Sequence, residues 1–351
     1  MEHDPNTVAF VLREHVGLAA FLWAQRDSLA QEDPADFAAL ATVDGRLAAN
    51  LDALLLAGGA AWPMIDAALA DYPEKGEVFL YAHHALQNQD WARLEALVPQ
   101  AAAAEEGLHG LGAALAHLPP AVTAAVVRDW LGHSDGFRVQ AALEALTIRK
   151  VDPGQRLAEF LRHPDSGVRT CACHLAAVLE RQDLKPELRQ LYATDAAAQT
   201  AAGRALARMG EPVAAQSLMA EVAEKVENWP QTLRILLSCL PADRFAAWMT
   251  ELGGDPATRE IVVRAVGMAG DRQRLDWILA QMAEPETIIA AGHAVIDLCP
   301  EAASQEELWS SEAAKFPPRI AAHFQEDMPR LPLAKAMAQA LLGGARKGRW
   351  P

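Results

Sequence analysis

The chain is poor in the residues that build sheets and staple small domains. Aromatic side chains make up 6% of its 351 residues, and alternating runs of Val or Ile with polar residues are scarce. That argues against a β-sandwich or barrel. Four cysteines, Cys171, Cys173, Cys239 and Cys299, are too few for a disulfide framework at this length. All four fall in apolar helical patterns, where cysteine behaves as a small hydrophobe. Positive charge is short as well: 31 basic against 46 acidic side chains, a formal net charge of −15. The deficit is concentrated, because residues 1–125 hold 5 basic and 17 acidic groups whereas residues 126–210 hold 12 and 10. An acidic surface repels phosphate backbones and makes nucleic acid a poor default partner. No basic segment precedes an apolar run at the N-terminus, so no signal peptide is expected. No uninterrupted apolar run reaches the length of a membrane span. Val8–Leu29 comes nearest, and Arg13, Glu14, His15, Arg26 and Asp27 interrupt it. A reduced, cytoplasmic setting without membrane contact is therefore expected.

What the chain has is alanine, leucine and a repeat. Half of the residues are hydrophobic, and Ala and Leu favour helix. Segments 130–146, 160–175 and 191–206 align, each with an apolar helix end, a polar turn and an Ala-rich helix. Asp135, Asp165 and Asp195 fall 30 residues apart in those turns. One helical pair cannot bury its apolar face alone, so such a period implies a stacked array. The expected fold is an all-α solenoid of helical hairpins with a right-handed superhelix. Residues 1–60 would form an N-terminal helical cap, 61–300 the repeats, and 301–351 an irregular C-terminal cap with a basic tail. Within the cap, Asp33 is expected to start the second helix, with Pro34 at its first position.

Several patterns invite a chemical reading. Gly132-His-Ser-Asp-Gly136 matches a serine-nucleophile motif, which needs a strand before it and a helix after it. A helix precedes it here, and it aligns with His163-Pro-Asp165, so a repeat turn is expected. Cys171 and Cys173 point about 200° apart on a helix and cannot converge with His174 on one ion. Gly107, Gly110 and Gly112 have the wrong spacing for a nucleotide loop. Trp130, Trp248 and Trp277 are expected to pack. No cofactor, metal or catalytic residue is assigned. One column stands out: Glu144, His174 and Arg204 recur 30 residues apart on second helices, as a polar ridge able to meet a partner.

The units His163-Pro-Asp-Ser-Gly-Val-Arg169 and Asp255-Pro-Ala-Thr-Arg259 resemble HEAT repeats. That resemblance implies an Asp/Arg ladder along the stack, with Asp135 and Arg138, Asp165 and Arg169, and Asp255 and Arg259 in that role, broken at Asp195 because Gln199 stands at the partner position. Segments 11–27, 43–54 and 285–296 are similar to a bacterial family of HEAT-like proteins often encoded beside type VI secretion genes. The implied function is a non-enzymatic protein-binding scaffold or adaptor, an effector chaperone or an immunity protein. The alternative is a nucleic-acid-binding HEAT protein resembling the alkyl-base DNA glycosylases. It would draw on Arg138, Arg149, Lys150, Arg162, Arg169, Arg204 and Arg208. A bilin-lyase-like enzyme finds no residue to carry it.

Overall fold

The computed structural model describes residues 5–324 and 329–345. Among these the protein is all-α, apart from one antiparallel pairing of two residues with two, Trp309–Ser310 with Leu331–Pro332. The chain forms two compact units. The first holds residues up to 31 and 37–209; the second holds 32–36 and everything from 210. The boundary between the units falls inside the expected 61–300 array, and residues up to 31 and 37–60 belong to the same compact unit as the hairpins up to 209. The basic tail, 346–351, lies outside the described residues.

In the first unit α1 (Pro5–Gln31) and α2 (Phe37–Ala57) form a long hairpin. Shorter hairpins follow: α3 (Trp62–Asp71) with α4 (Lys75–Gln87), α5 (Trp91–Ala103) with α6 (Gly107–His117), and α7 (Pro120–Trp130) with α8 (Gly136–Arg149). Then come α9 (Arg156–Phe160) with α10 (Ser166–Val178), and α11 (Lys185–Thr194) with α12 (Gln199–Arg208). The second helices α4, α6, α8, α10 and α12 pack side by side in that order, and α1 extends the row beyond α4. Their buried stripes supply most of the core, from Val16 and Leu22 through Phe79, Leu111 and Leu143 to Leu175 and Leu206. Burying these faces removes from water the surface a lone hairpin leaves exposed.

Glycine sets the spacing at the head of this row. A Cβ on Gly76 of α4 would stand 2.6 Å from the Ala20 carbonyl oxygen of α1, and one on Gly110 of α6 only 2.3 Å from the Lys75 carbonyl oxygen of α4. Gly110, read above as part of a failed nucleotide loop, therefore lets two helix backbones touch. Gly110→Val should cost about 2–3 kcal/mol, since backbone atoms cannot yield as a side chain does. Urea unfolding would measure it, and an unchanged midpoint would contradict this packing.

The recurring aspartates close the turns before second helices. Asp135 accepts from the Phe137 N–H at 3.1 Å, Asp165 from Val168 at 2.9 Å, and Asp195 from Ala197 at 3.0 Å. Asp135 and Asp165 thereby satisfy an N–H that the first helical turn leaves unpaired, whereas Asp195 closes the turn between α11 and α12, whose N-cap is Ala198. His133 and His163 do the same work one step earlier: each ring Nδ1 accepts the N–H of the aspartate two residues on, at 3.0 and 3.1 Å. The serine-nucleophile match at 132–136 is thus one instance of a repeated His-x-Asp turn between helices. Asp33 departs from expectation. It follows the end of α1, its peptide bond to Pro34 is cis, and α2 starts at Phe37.

The second unit contains α13 (Ala215–Ala223), α14 (Trp229–Cys239), α15 (Ala242–Gly253), α16 (Arg259–Met268), α17 (Leu275–Gln281) and α18 (Ile288–Leu298). Short α19 (Pro318–Ala321) and final α20 (Ala334–Ala345) come after a stretch of 3₁₀ turns. A core around Val263, Ile278, Ile288, Val295, Met337 and Leu341 joins α16, α17, α18 and α20. Trp130 and Trp248 are buried as expected, but Trp277 is exposed. The helical run Phe37–Asp71 is long and apolar enough to cross a membrane by length and composition, which corrects the expectation that no segment reaches that measure. Val43, Leu47, Leu51 and Leu54 in that run are buried in the first unit's core.

Candidate functional site

The row of second helices brings together residues that the sequence keeps far apart. His109 on α6 lies between two carboxylates. Its Nε2 is 2.7 Å from Asp27 Oδ1 on α1, and its Nδ1 is 2.8 Å from Glu144 Oε1 on α8. Both ring nitrogens thus donate, which requires the imidazolium. The hydrogen bond to Asp27 and then that to Glu144 overcome partial burial and raise the His109 pKa to about 10. Lys75 on α4 donates to the other Asp27 oxygen at 2.9 Å and pairs with Glu106 at 2.9 Å. Burial pushes the Asp27 carboxyl up, but the hydrogen bonds and charges of His109 and Lys75 together bring it down to about 2. Trp23 of α1 stacks on Phe79 of α4 at 4.5 Å and leans on the His109 ring at 5.8 Å, closing the inner side of the cluster.

His109, Glu144 and Glu106 of this cluster line a groove of about 520 Å³. Glu106, His109, Gln140 and Glu144 line it, followed by Ser166, Thr170, Cys171 and His174. Of the predicted column, Glu144 and His174 both face this groove. His174 is exposed, yet the surrounding protein and the nearby Arg204 and Arg208 hold its pKa below the ordinary value, against the pull of Glu144. Arg204 stands on α12, half-buried, outside the groove lining. The column therefore extends in the opposite direction, through His109 and Lys75 to Asp27. Sequence reasoning missed these three residues. His109 precedes Glu144 by 35 residues rather than 30, so an extension of the column at constant period misses it.

Polar side chains of the expected ladder positions make contacts that step between successive repeats. Gln140 donates to Asp165 at 3.1 Å, and Arg169 donates to Asp195 at 2.5 Å and to the carbonyls of His163 and Pro164. Asp195 is thus a rung and not the break, because its partner comes from the preceding repeat. Arg138 pairs with Glu95 at 2.6 Å and more distantly with Asp135, at 3.4 Å. Asp255 accepts from the Ala257 N–H at 2.9 Å rather than pairing with Arg259. All four cysteines are buried, and burial pushes the Cys171 and Cys173 thiols up to about 12, far from thiolate chemistry. No group of three His, Cys, Asp or Glu is placed to hold a metal ion among the described residues.

The second unit holds a separate ionic cluster. Arg264, only 2% exposed, donates to Asp297 at 2.5 Å and to Asp33 at 2.8 Å. Arg234 donates to both Asp33 oxygens at 2.6 Å and to Asp297 at 2.6 Å. Two guanidinium forks and two carboxylates interlock with no net charge. His293 of α18 lies within reach of their charges. Burial, and then the Arg264 charge, brings its pKa down to about 4.

Fold and site together define an all-α protein of stacked helical hairpins with a polar groove along its second helices. No protein-family model matches the chain, and comparisons with curated proteins and with solved structures give no match.

Proposed function

We propose that the protein is a non-enzymatic protein-binding scaffold, built as a HEAT-like right-handed stack, whose groove in the first unit receives a segment of a partner protein. The observation that carries this reading is the groove itself. Five helices, α1, α4, α6, α8 and α10, contribute to its wall or to the ion pairs beneath it, so its shape belongs to the stack rather than to a loop. Its chemistry suits recognition. Thr170, Ser166 and His174 offer donors and acceptors at the surface, while the charged groups beneath are already paired. A cytoplasmic adaptor, effector chaperone or immunity protein of a bacterial type VI secretion system is the setting that the family resemblance suggests.

The nucleic-acid alternative is weaker. Arg138, Arg162 and Arg169 are bound to carboxylates, and Arg149 to the carbonyls of Ala116 and Leu118. Guanidiniums engaged in this way are poorly placed to neutralise phosphates.

Affinity capture of the tagged protein from a bacterial host after nuclease treatment tests the proposal. A protein partner should be retained by the wild type and lost, at least tenfold, with Thr170→Arg, which fills the groove from a position that is not itself part of the His109 ion pairs. Thermal unfolding of the variant should match the wild type. Retention of nucleic acid alone, or a partner indifferent to Thr170→Arg, would overturn it.

A further inference from the structure

A row of packed rings joins the groove to the other end of α4 and α6. Lys75, Phe79 and His83 stand four residues apart on α4, and His109 and His117 eight apart on α6, so each set lies along one side of its helix. Trp23 and Asp27 do likewise on α1. At the groove His109 and Lys75 hold Asp27. Next, Trp23 leans on the His109 ring and lies flat on Phe79. Farthest from the groove, Phe79 meets His83 at 5.6 Å and stands perpendicular to His117 at 5.5 Å, and the two imidazoles meet at 5.3 Å. Phe79 is fully buried and His83 only 7% exposed, while His117 reaches the surface.

The two ends of the row treat a proton oppositely. His109 has a carboxylate at each ring nitrogen. No hydrogen bond or ion pair reaches the rings of His83 and His117 among the described residues. Burial, and then His117 and His84, bring the His83 pKa down to about 3. The charges acting on His117 are Arg26 of α1, Asp44 of α2 and Arg149 of α8; the surrounding protein and then Arg26 lower its pKa, against Asp44, and Arg149 adds to the lowering. Asp44 is itself taken by Arg26 at 2.7 Å. His84 turns away to the Gly58 carbonyl, at 3.1 Å, and to Trp62. Burial lowers its pKa, with Arg93, against that carbonyl and Asp90. A protonated His83 would thus be a buried cation with no counter-ion, which protein interiors do not sustain.

We infer that the His83–His117 pair is an acid-sensitive latch on the groove: a proton taken up there parts α4 from α6 at that end, unseats Phe79 from Trp23 and frees Trp23 from the His109 ring. The charged ring is stable only where water reaches it, so protonation and opening go together. The direction in pH follows from the proton balance. Below the ordinary value of 6.5 the open form holds a proton that the closed form refuses, so each step downward favours opening until pH nears the folded value of about 3. Between pH 7 and 5 neither Asp27, at about 2, nor His109, at about 10, changes its charge. The ion pairs at the groove therefore stay intact until the latch gives way. Glu77 of α4, whose pKa burial raises, titrates with or without a ring at position 83 and cancels when the two are compared. The effect on a partner rests on the groove reading; the latch itself does not.

Amide hydrogen exchange of the full chain at pH 7 and pH 5, corrected for the intrinsic rate and read by mass spectrometry, tests it. In the wild type, protection of residues 19–31 and 107–117 should fall about 20-fold between the two, while α10 and α12 change less than about threefold. His83→Leu and His83→Gln, which leave nothing to titrate at that position, should each hold the fall in 19–31 and 107–117 below about threefold. Thermal melts at pH 7 show which of the two folds as the wild type does, and that one is read. A loss spread evenly over the first unit would be ordinary acid unfolding and would overturn the latch. An equal fall in the variant, or none in the wild type, would overturn it as well. Exchange is measured on the protein alone, so its outcome is separate from that of the capture experiment with Thr170→Arg.

Discussion

Replacing Asp297 by alanine should destabilise the second unit by about 3–5 kcal/mol, the largest effect of any single side chain discussed above. The reason is not that the ion pairs are worth that much. Arg264 is 2% exposed, and taking its guanidinium out of water is costly unless its donors are met. Asp297 and Asp33 meet the two terminal nitrogens, while Nε has no partner. Without Asp297 one buried charge loses half of its compensation. Arg264→Met, which removes the charge and keeps an unbranched apolar chain, should cost less than Asp297→Ala even though it deletes more hydrogen bonds. Urea unfolding of the two variants checks this, and the reverse order would show that the cluster stabilises by attraction. The cluster also sets an acid limit. Burial raises the Asp33 pKa, but the Arg234 hydrogen bonds and the charges of Arg264 and Arg234 together lower it below the ordinary value. The stability it contributes is present above its unfolded pKa of 3.8 and is lost as pH falls through the folded value.

On the alkaline side, the first unit should lose about 2 kcal/mol of stability between pH 6.5 and 10, and His109→Gln should abolish most of that slope. The sign follows from where the proton sits. Below the ordinary pKa of 6.5 the ring is charged in folded and unfolded chains alike, and the ion pairs with Asp27 and Glu144 contribute fully. Between 6.5 and about 10 the folded protein keeps a proton that the unfolded chain has released, so each step upward favours unfolding. Above about 10 the contribution is gone. The magnitude is set well below a full conversion of the shift, because the His109 side chain remains 29% exposed and solvent screens its pairs. Lys75 does not blur the window. Its hydrogen bonds to Glu106 and Asp27, against the opposing effect of burial, raise its pKa above 10.5, so its contribution fades at higher pH. Asp27, at about 2, acts only in acid. Thermal melts of wild type and His109→Gln from pH 6 to 10 decide it: parallel curves would mean that the ring is not held as the imidazolium.

The groove depends on the same ion pairs. With His109 charged, Glu144 is held toward α6 and the space beside Thr170 and His174 stays open. Partner binding measured on the Thr170 variants is therefore best read below pH 8, where the imidazolium persists. Above pH 10 a loss of binding would reflect the scaffold rather than the contact.

Much of the architecture was determined locally. Alanine and leucine at helical spacing dictate helices, and Asp135 and Asp165 dictate the starts of α8 and α10, because a carboxylate beside free N–H groups acts over two or three residues wherever the segment ends up. The turn at 132–136 was legible for the same reason, since His163-Pro-Asp165 repeats it. Glu144 and His174 could be placed on one groove because the repeat holds its period between them. Tertiary structure alone decided the rest. Asp27 and His109 are 82 residues apart and meet only because Gly76 and Gly110 let three backbones crowd together. Asp33 has the local signature of a helix cap, yet its carboxylate is taken by two arginines more than 200 residues away. Arg169 reaches Asp195 of the next repeat rather than its own Asp165. Helix starts are set by forces within a turn of chain, whereas ion pairs are set by which helices stack. Stacking depends on the total buried surface, and no short window of sequence contains that sum.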